Sequence, residues 1–177
     1  MTNEKTQPGL IVVRLSAVGQ LFNTMDPSPF HERDLDHDAE EFIVSSAREI
    51  PGDHPLAIRV ELSGEPPADA LPLVRESLKN YFSYREESAR RELHELLREG
   101  RFSLVAGLLF LGCMLMLRTL VPTGPAWAEM AREGLLIGGW VALWKPVDIH
   151  LDRWWPIRRQ MTLFRRLSGC PVTVTRA

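Results

Sequence analysis

The sequence has little cysteine, only Cys113 and Cys170 in 177 residues. Two cysteines exclude a scaffold that depends on several disulfides. Cys113 lies inside an uncharged segment and Cys170 lies near the C-terminus, so we expect both to be unpaired thiols in a reducing compartment. The N-terminal residues 1–8 are polar and lack the apolar core of a secretory signal peptide.

Catalytic motifs are also lacking. The glycines are scattered, and no stretch resembles a phosphate-binding loop, a nucleophile elbow or a cysteine metal site. The sequence therefore predicts a non-enzymatic protein that needs no cofactor.

The charge is unevenly distributed along the chain. Residues 1–81 contain 14 acidic and 7 basic residues, whereas residues 82–177 contain 9 acidic and 14 basic residues. Residues 103–117 contain no charge at all. The basic residues of 153–166 follow the apolar segment 134–144 and are mixed with Trp, Leu and Phe. This arrangement favours anionic lipid over nucleic acid as their partner.

Two short segments have the pattern of β-strands. Residues 10–16 are rich in β-branched residues, and residues 56–63 alternate apolar and polar side chains, which indicates a sheet with one covered face. Residues 172–175, with the sequence VTVT, are a candidate third strand. Together with a helix between the first two strands, this predicts a βαβ-type cytoplasmic head over residues 1–66.

The helix of the head is predicted from apolar residues at helical spacing. Asp38 and Glu41 resemble a capping box at its start, and Pro51 with Gly52 ends it. We expect its apolar face to cover Ile58 and Val60 of the sheet. That face consists of Ala39, Phe42, Ile43, Ala47 and Ile50.

An amphipathic helix is predicted over residues 67–101, and Gly100 is the only candidate break before the apolar run that follows. Residues 102–121 then form a first predicted transmembrane helix, because 20 residues with one charge, Arg118, match about 30 Å of hydrocarbon. A short external loop is predicted at 122–130 and a second transmembrane helix at 131–150. Since its apolar core covers only residues 134–144, a re-entrant or interfacial helix is the alternative.

Basic residues favour the full hairpin. Eleven of them flank the two apolar segments, whereas only Arg118 and Arg132 adjoin the connecting loop. The positive-inside rule then places both termini in the cytoplasm, with a basic tail at 151–177. The eleven are Arg85, Arg90, Arg91, Arg98, Arg101, Lys145, Arg153, Arg158, Arg159, Arg165 and Arg166.

Aromatic and small residues add candidate membrane contacts. We expect Trp127 at the outer interface and Trp144, Trp154 and Trp155 at the inner one, beside Arg158 and Arg159. Small residues at helical spacing allow close packing of helices in lipid, either of the two spans or of two copies of the chain. These helix-packing residues are Ser103, Gly107, Gly134, Gly138 and Ala142.

Residues 31–41, with the sequence HERDLDHDAEE, form an acidic run. Acidic residues are favoured at the start of a helix, and this is the main interpretation. The alternatives are an acidic docking face for a protein partner and a metal site. The metal ligands would be His31, Asp34, His37 and Asp38.

Two stretches resemble segments of small uncharacterised bacterial inner-membrane proteins. These are GWVALWKPVDIHLDRWWPIRR at 139–159 and LFNTMDPSPFHERDLDHDAEEFI at 21–43. The resemblance implies a bacterial inner membrane and no specific activity. Combined with the residue patterns, it predicts an α+β membrane protein, in which a long helix joins the head to a two-helix transmembrane hairpin.

The predicted function is that of a non-enzymatic accessory or interaction protein that presents an acidic head and forms homo-oligomers. The alternatives are a subunit of an oligomeric channel or transporter, and a membrane-bound metal-dependent enzyme or sensor.

Overall fold

The computed structural model describes residues 9–23, 34–65, 67 and 69–176. The chain is mostly helical and has a small parallel sheet. It divides into two compact units, one from the described parts of Met1–Ser88 and Gln160–Ala177 and the other from Ala89–Arg159. The strands are β1 (Gly9–Leu15), β2 (Leu56–Leu62) and β3 (Val172–Arg176). The α-helices are α1 (His37–Glu49), α2 (Ala70–Leu120), α3 (Ala126–Val141), α4 (Trp144–Asp148) and α5 (Trp154–Ser168), with a 3₁₀ turn at Val18–Leu21 and a π-helical turn at Ile149–Arg153.

The sheet of the first unit has the order β1-β2-β3, and both pairs of strands are parallel. In the central strand β2 every second side chain is buried and those between are half-buried, which confirms the alternation predicted from the sequence. The C-terminal strand β3 pairs with β2 through the register Ile58↔Val172. One face of the sheet is therefore covered, and the side chains on the other face of β2 are half-buried.

The N-terminal cap of α1 differs from the prediction. The helix begins at His37, and the side chain of Asp36 accepts a hydrogen bond from the backbone N–H of Asp38 at 3.1 Å. Asp36 is the cap, and Asp38 lies in the first turn of the helix. The reason is the backbone of Asp36, whose ψ of 141° lies outside the helical range.

The predicted core position of Phe42 is wrong. Its side chain is 49% exposed, whereas Ile43 and Ala47 are fully buried. Residues 39, 43 and 47 lie one turn apart along one side of the helix, and together with Val44, which is 9% exposed, they form its buried stripe. Phe42 lies outside that stripe.

The C-terminal segment contributes to the core of this unit through α5 as well as β3, whereas the sequence predicts a basic cytoplasmic tail at 151–177 with a possible strand at 172–175. Leu163, Phe164 and Leu167 of α5 are buried. The ring of Phe164 stacks on Phe82 of α2 with the centroids 6.2 Å apart. Arg166 donates hydrogen bonds to the carbonyls that precede β2, at Pro51 and His54. The apolar residues of α5 lie one turn apart between the arginines, so one side of the helix packs and the other remains charged.

A polar cluster joins α1 to α2 in the same unit. The hydroxyl of Tyr81 donates a hydrogen bond of 2.6 Å to Oε2 of Glu40, and Nη2 of Arg85 lies 2.9 Å from Oε1 of the same carboxylate. Burial, and then the hydrogen bond to Glu40, raise the pKa of the Tyr81 phenol above its usual value. The phenol therefore remains a donor in the folded chain even at alkaline pH.

We expect Tyr81→Phe to lower the free energy of unfolding by about 1.5 kcal/mol, the lower end for a hydrogen bond to a charged group, because Arg85 still pairs with Glu40. The raised pKa adds a pH dependence. The contribution of the phenol is complete below its unfolded pKa of about 10 and is lost as the pH rises above it. Urea unfolding at pH 7 and pH 11 tests this. A difference between wild type and variant that grows at pH 11 would contradict it.

In the second unit α2 continues through Gly100 without a break, unlike the division predicted there. A single glycine costs a helix only about 1 kcal/mol, and good helix formers lie on both sides. The predicted second span at 131–150 is interrupted instead, because α3 ends at Val141 and α4 begins at Trp144. Pro146 explains the interruption, since proline has no N–H to donate to the carbonyl of Ala142.

Both cysteines are free thiols in the structure. Cys113 is exposed on α2 and Cys170 is half-buried before β3. Burial raises the pKa of the Cys170 thiol to about 11, so this thiol is protonated near neutral pH.

Candidate membrane interface

The C-terminal half of α2 is apolar and almost unburied. Helix α2 is long and apolar enough to cross a membrane, and only 6% of its most apolar 18-residue stretch is buried. Phe102 is 77% exposed and Leu109 is 71% exposed. A core helix of a water-soluble domain would have most of this surface covered. The exposed apolar stretch is the main candidate interface of the second unit.

The second part of α2 lies against α3 and the residues after it. A Cβ on Gly107 would come within 3.0 Å of the carbonyl oxygen of Ala142, and one on Gly139 would come within 2.7 Å of Leu111 Cδ1. A Cβ on Gly100 would meet Ile149 Cγ2 at 2.8 Å. Residues later in α2 contact residues earlier in the segment 139–149, so the two segments run antiparallel.

The close approach at Gly107 has a local cause. Pro146 leaves the carbonyl of Ala142 without its usual helical donor, and this oxygen faces the Cα of Gly107. A Cβ at residue 107 would crowd this oxygen at 3.0 Å, so glycine allows the two backbones to approach closely here.

The structure brings together part of the predicted helix-packing set. Gly107 and Ala142 lie in contact, and the hydroxyl of Ser103 donates to the carbonyl of Gly100 at 3.1 Å. Gly134 and Gly138 are exposed and have open space where a Cβ would stand, so they take no part in packing against α2. Sequence reasoning missed Gly139, which is buried. Its helical spacing with Ala128, Leu135 and Ala142 is the pattern that could have identified it.

We expect Gly139→Leu to destabilise the helix pair by about 1–3 kcal/mol, because the added side chain would overlap Leu111 and Met114. Gly112→Leu on α2 is the matched control, because Gly112 is exposed and open space surrounds its Cβ. Thermal aggregation of both variants in detergent is the measurement. Equal melting temperatures would show that Gly139 is not the packing position.

Charged groups lie at both ends of the helix pair. At one end, Nζ of Lys145 lies 2.8 Å from Oε1 of Glu99, and this hydrogen bond holds the pKa of the Glu99 carboxyl below its usual value. At the other end are Arg118 near the end of α2 and Arg132 in the first half of α3. By helical rise, residues 99 and 118 lie about 28 Å apart along α2, and residues 132 and 145 about 20 Å apart. The apolar surface therefore lies between two charged boundaries.

Tryptophans and arginines surround the start of α5. The indole N–H of Trp154 donates to the carbonyl of His150 at 2.7 Å. The guanidinium of Arg158 lies 5.6 Å from the ring centroid of Trp154, and that of Arg159 lies 4.9 Å from that of Trp155. Trp127 and Trp144, the other predicted interface residues, are 63% and 77% exposed. The pairing of flat apolar rings with cations suits the boundary between hydrocarbon and headgroups.

The acidic run is only partly described. His31 lies outside the described residues, whereas Asp34, His37 and Asp38 lie at the exposed start of α1. Within the described residues there is no group of three or more His, Cys, Asp or Glu side chains placed to hold a metal ion.

No protein-family model, curated protein or solved structure matches this chain.

Proposed function

We propose that the chain is an integral protein of a bacterial inner membrane that holds an acidic head at the cytoplasmic face and acts there as a non-enzymatic interaction module. The observation that carries the proposal is the exposure of the apolar part of α2, of which only 6% is buried. Lipid would cover this surface and remove the cost of its contact with water.

Two crossings are proposed, and the antiparallel pair supports this. Gly107 and Gly139 allow the two backbones to approach, which is how helices associate where no hydrophobic effect drives them together. The Glu99–Lys145 pair and the arginines at 118 and 132 would mark the two headgroup levels. The interruption at residues 142–143 is tolerated in lipid where a neighbouring helix covers the freed carbonyl.

The orientation follows from the basic residues. Eleven flank the pair on the side of the termini and two lie near its connection, so the positive-inside rule favours cytoplasmic termini. The tryptophan–arginine pairs at 154–159 would then meet the inner headgroups, where anionic lipids attract basic residues.

Self-association is part of the proposal. Gly134 and Gly138 are one turn apart on α3 and face open space, and a second copy packing there would place small residues at the contact. The channel and metal-enzyme alternatives have their own tests, which are conductance in reconstituted vesicles and stoichiometric metal in the purified protein.

Reporter fusions test the topology. A reporter that is active only outside the cytoplasm should be active when fused after Gly124, in the turn between α2 and α3, and silent when fused after Ala177. Gly124 is a favourable fusion site because it is exposed and lies outside both helices. An active C-terminal fusion would exclude the hairpin and favour a single crossing.

A further inference from the structure

Within the part of the chain that the structure describes, β1 is an edge strand with no partner on its outer side. In β1 the N–H of Gly9 donates to the carbonyl of Pro55, and the carbonyl of Leu15 accepts from the N–H of Ser63, so its odd-numbered residues pair with β2. The backbone groups of Leu10, Val12 and Arg14 therefore point away from the sheet. Among the described residues, none forms a hydrogen bond with these groups and no further strand pairs with β1.

A groove of about 520 Å³ follows this edge beside the first turns of α1. Val12 and Leu15 contribute to one wall, and Ala39 and Phe42 to the other. Phe42 is 49% exposed although the neighbouring Ile43 is fully buried. An exposed aromatic ring next to unpaired strand amides is what an extended peptide requires, since the amides bind its backbone and the ring binds a side chain.

The charge of the groove indicates the class of peptide. Asp36 and Asp38 both line it, and neither forms an ion pair with a described residue. Arg14, the one cation among the described residues that line the groove, donates to Oε2 of Glu61 at 3.0 Å and is thereby compensated. The groove is therefore negative, within a half of the chain that carries 14 acidic and 7 basic residues. Charge complementarity requires a basic partner.

We propose that the groove between β1 and α1, which we call the β1 groove, binds an extended basic segment of a partner protein as an additional strand of the sheet. The backbone of the segment pairs with Leu10, Val12 and Arg14, an apolar side chain contacts Phe42, and a lysine or arginine lies near Asp38. The inference names the partner class of the interaction module proposed above and rests on it.

Peptide binding to the full chain in detergent tests the β1 groove. The probe is a fluorescent eight-residue peptide that alternates valine with lysine or threonine. One matched peptide has glutamate in place of lysine. A second has N-methyl groups on alternate amides, which remove backbone hydrogen-bond donors. Fluorescence anisotropy should detect the basic peptide and show affinity that falls with salt. Equal binding of the basic and acidic peptides, or full binding of the N-methylated peptide, would overturn the proposal.

Three variants locate the site. Val12→Pro removes an outward N–H without removing a bond to β2, and should weaken binding roughly tenfold, whereas Val12→Thr keeps the N–H and should weaken binding far less. Phe42→Ala should also weaken binding about tenfold as the loss of an aromatic anchor, without change in strand β1. Tyr84→Ala, at an aromatic residue of α2 that is 61% exposed, is the control and should bind as wild type. Wild-type affinity of both Val12→Pro and Phe42→Ala would refute the site.

A second copy of the chain is the other candidate occupant. If the peptide does not bind, and light scattering shows a dimer that Val12→Pro dissociates, the edge is an interface between copies and the proposal is wrong. The assay is separate from the topology test, because it uses no membrane. Peptide binding with a failed topology test would leave the β1 groove in place, and the reverse result would leave only the membrane proposal.

Discussion

Leu109→Asp should remove the protein from the membrane fraction of cells. Leu109 lies in the middle of the apolar part of α2 and is 71% exposed. Replacing a favourable leucine by an aspartate at the centre of a span costs about 3–4 kcal/mol on the insertion scale. The eight Leu, Val and Phe residues of the uncharged run 103–117 favour insertion by only about 2.5–5 kcal/mol in total, so the change removes most of the margin.

The Leu109→Asp variant distinguishes a lipid-covered α2 from a water-exposed α2, because the two surroundings give opposite results. On a water-exposed helix the same change would alter stability by no more than about 0.5 kcal/mol and would improve solubility. Leu109→Ala is the matched control and should remain in the membrane fraction. Fractionation after alkaline carbonate washing is the measurement. A Leu109→Asp variant that fractionates like wild type would argue that lipid does not cover α2.

Phe164→Ala should lower the free energy of unfolding of the first unit by about 3–5 kcal/mol, the usual cost of truncating a buried phenylalanine. Phe164 is 2% exposed, stacks on Phe82 and lies under the guanidinium of Arg85 at 5.2 Å. Its loss leaves a cavity where α5 meets α2. Urea unfolding of the full chain in detergent, followed by pulse proteolysis, measures the effect.

Phe42→Ala is the matched control for the same residue type. Because half of the Phe42 side chain is exposed, the variant should lose less than about 1 kcal/mol. Comparable losses for Phe42→Ala and Phe164→Ala would show that α5 does not complete the core of this unit.

The sequence was sufficient for the elements with a strong periodic pattern. In β2 the alternation of apolar and polar residues defines both the strand and its buried face, because side-chain direction in a strand has a fixed period. The apolar run of α2 was equally clear, since a helix of this length that is apolar on every side is typical of a membrane span.

Positions that depend on tertiary contacts were not predictable in the same way. Phe42 and Ile43 are adjacent and both apolar, and only the direction from which the sheet contacts α1 decides which is buried. Gly138 and Gly139 pose the same problem on α3. Either glycine fits a stripe of small residues at helical spacing, and only the rotation of α3 relative to Leu111 decides that Gly139 is the buried one.

The role of α5 was missed for a different reason. Its arginines indicated a membrane-bound tail, whereas its buried residues Leu163, Phe164 and Leu167 are separated by the ordinary spacing of a packed helix face. A candidate strand directly after it, at 172–175, was the indication that the chain returns to the sheet.

If the pair of α2 and α3 lies in lipid, quenching of the tryptophans on and just after α3 should depend on the depth of the quencher in the bilayer. Three single-tryptophan variants would retain Trp127, Trp140 or Trp144, with the other tryptophans replaced by phenylalanine. Each variant is reconstituted in vesicles of lipids that are brominated at a shallow or a deep position of the acyl chain. Trp140 is 62% exposed and adjoins Gly139, which packs against the middle of the apolar run of α2. We expect deep bromines to quench Trp140 most strongly and shallow bromines to quench Trp127 and Trp144 most strongly. Quenching of Trp140 by shallow bromines alone would show that α3 lies at the interface, and no quenching of any of the three would contradict insertion altogether.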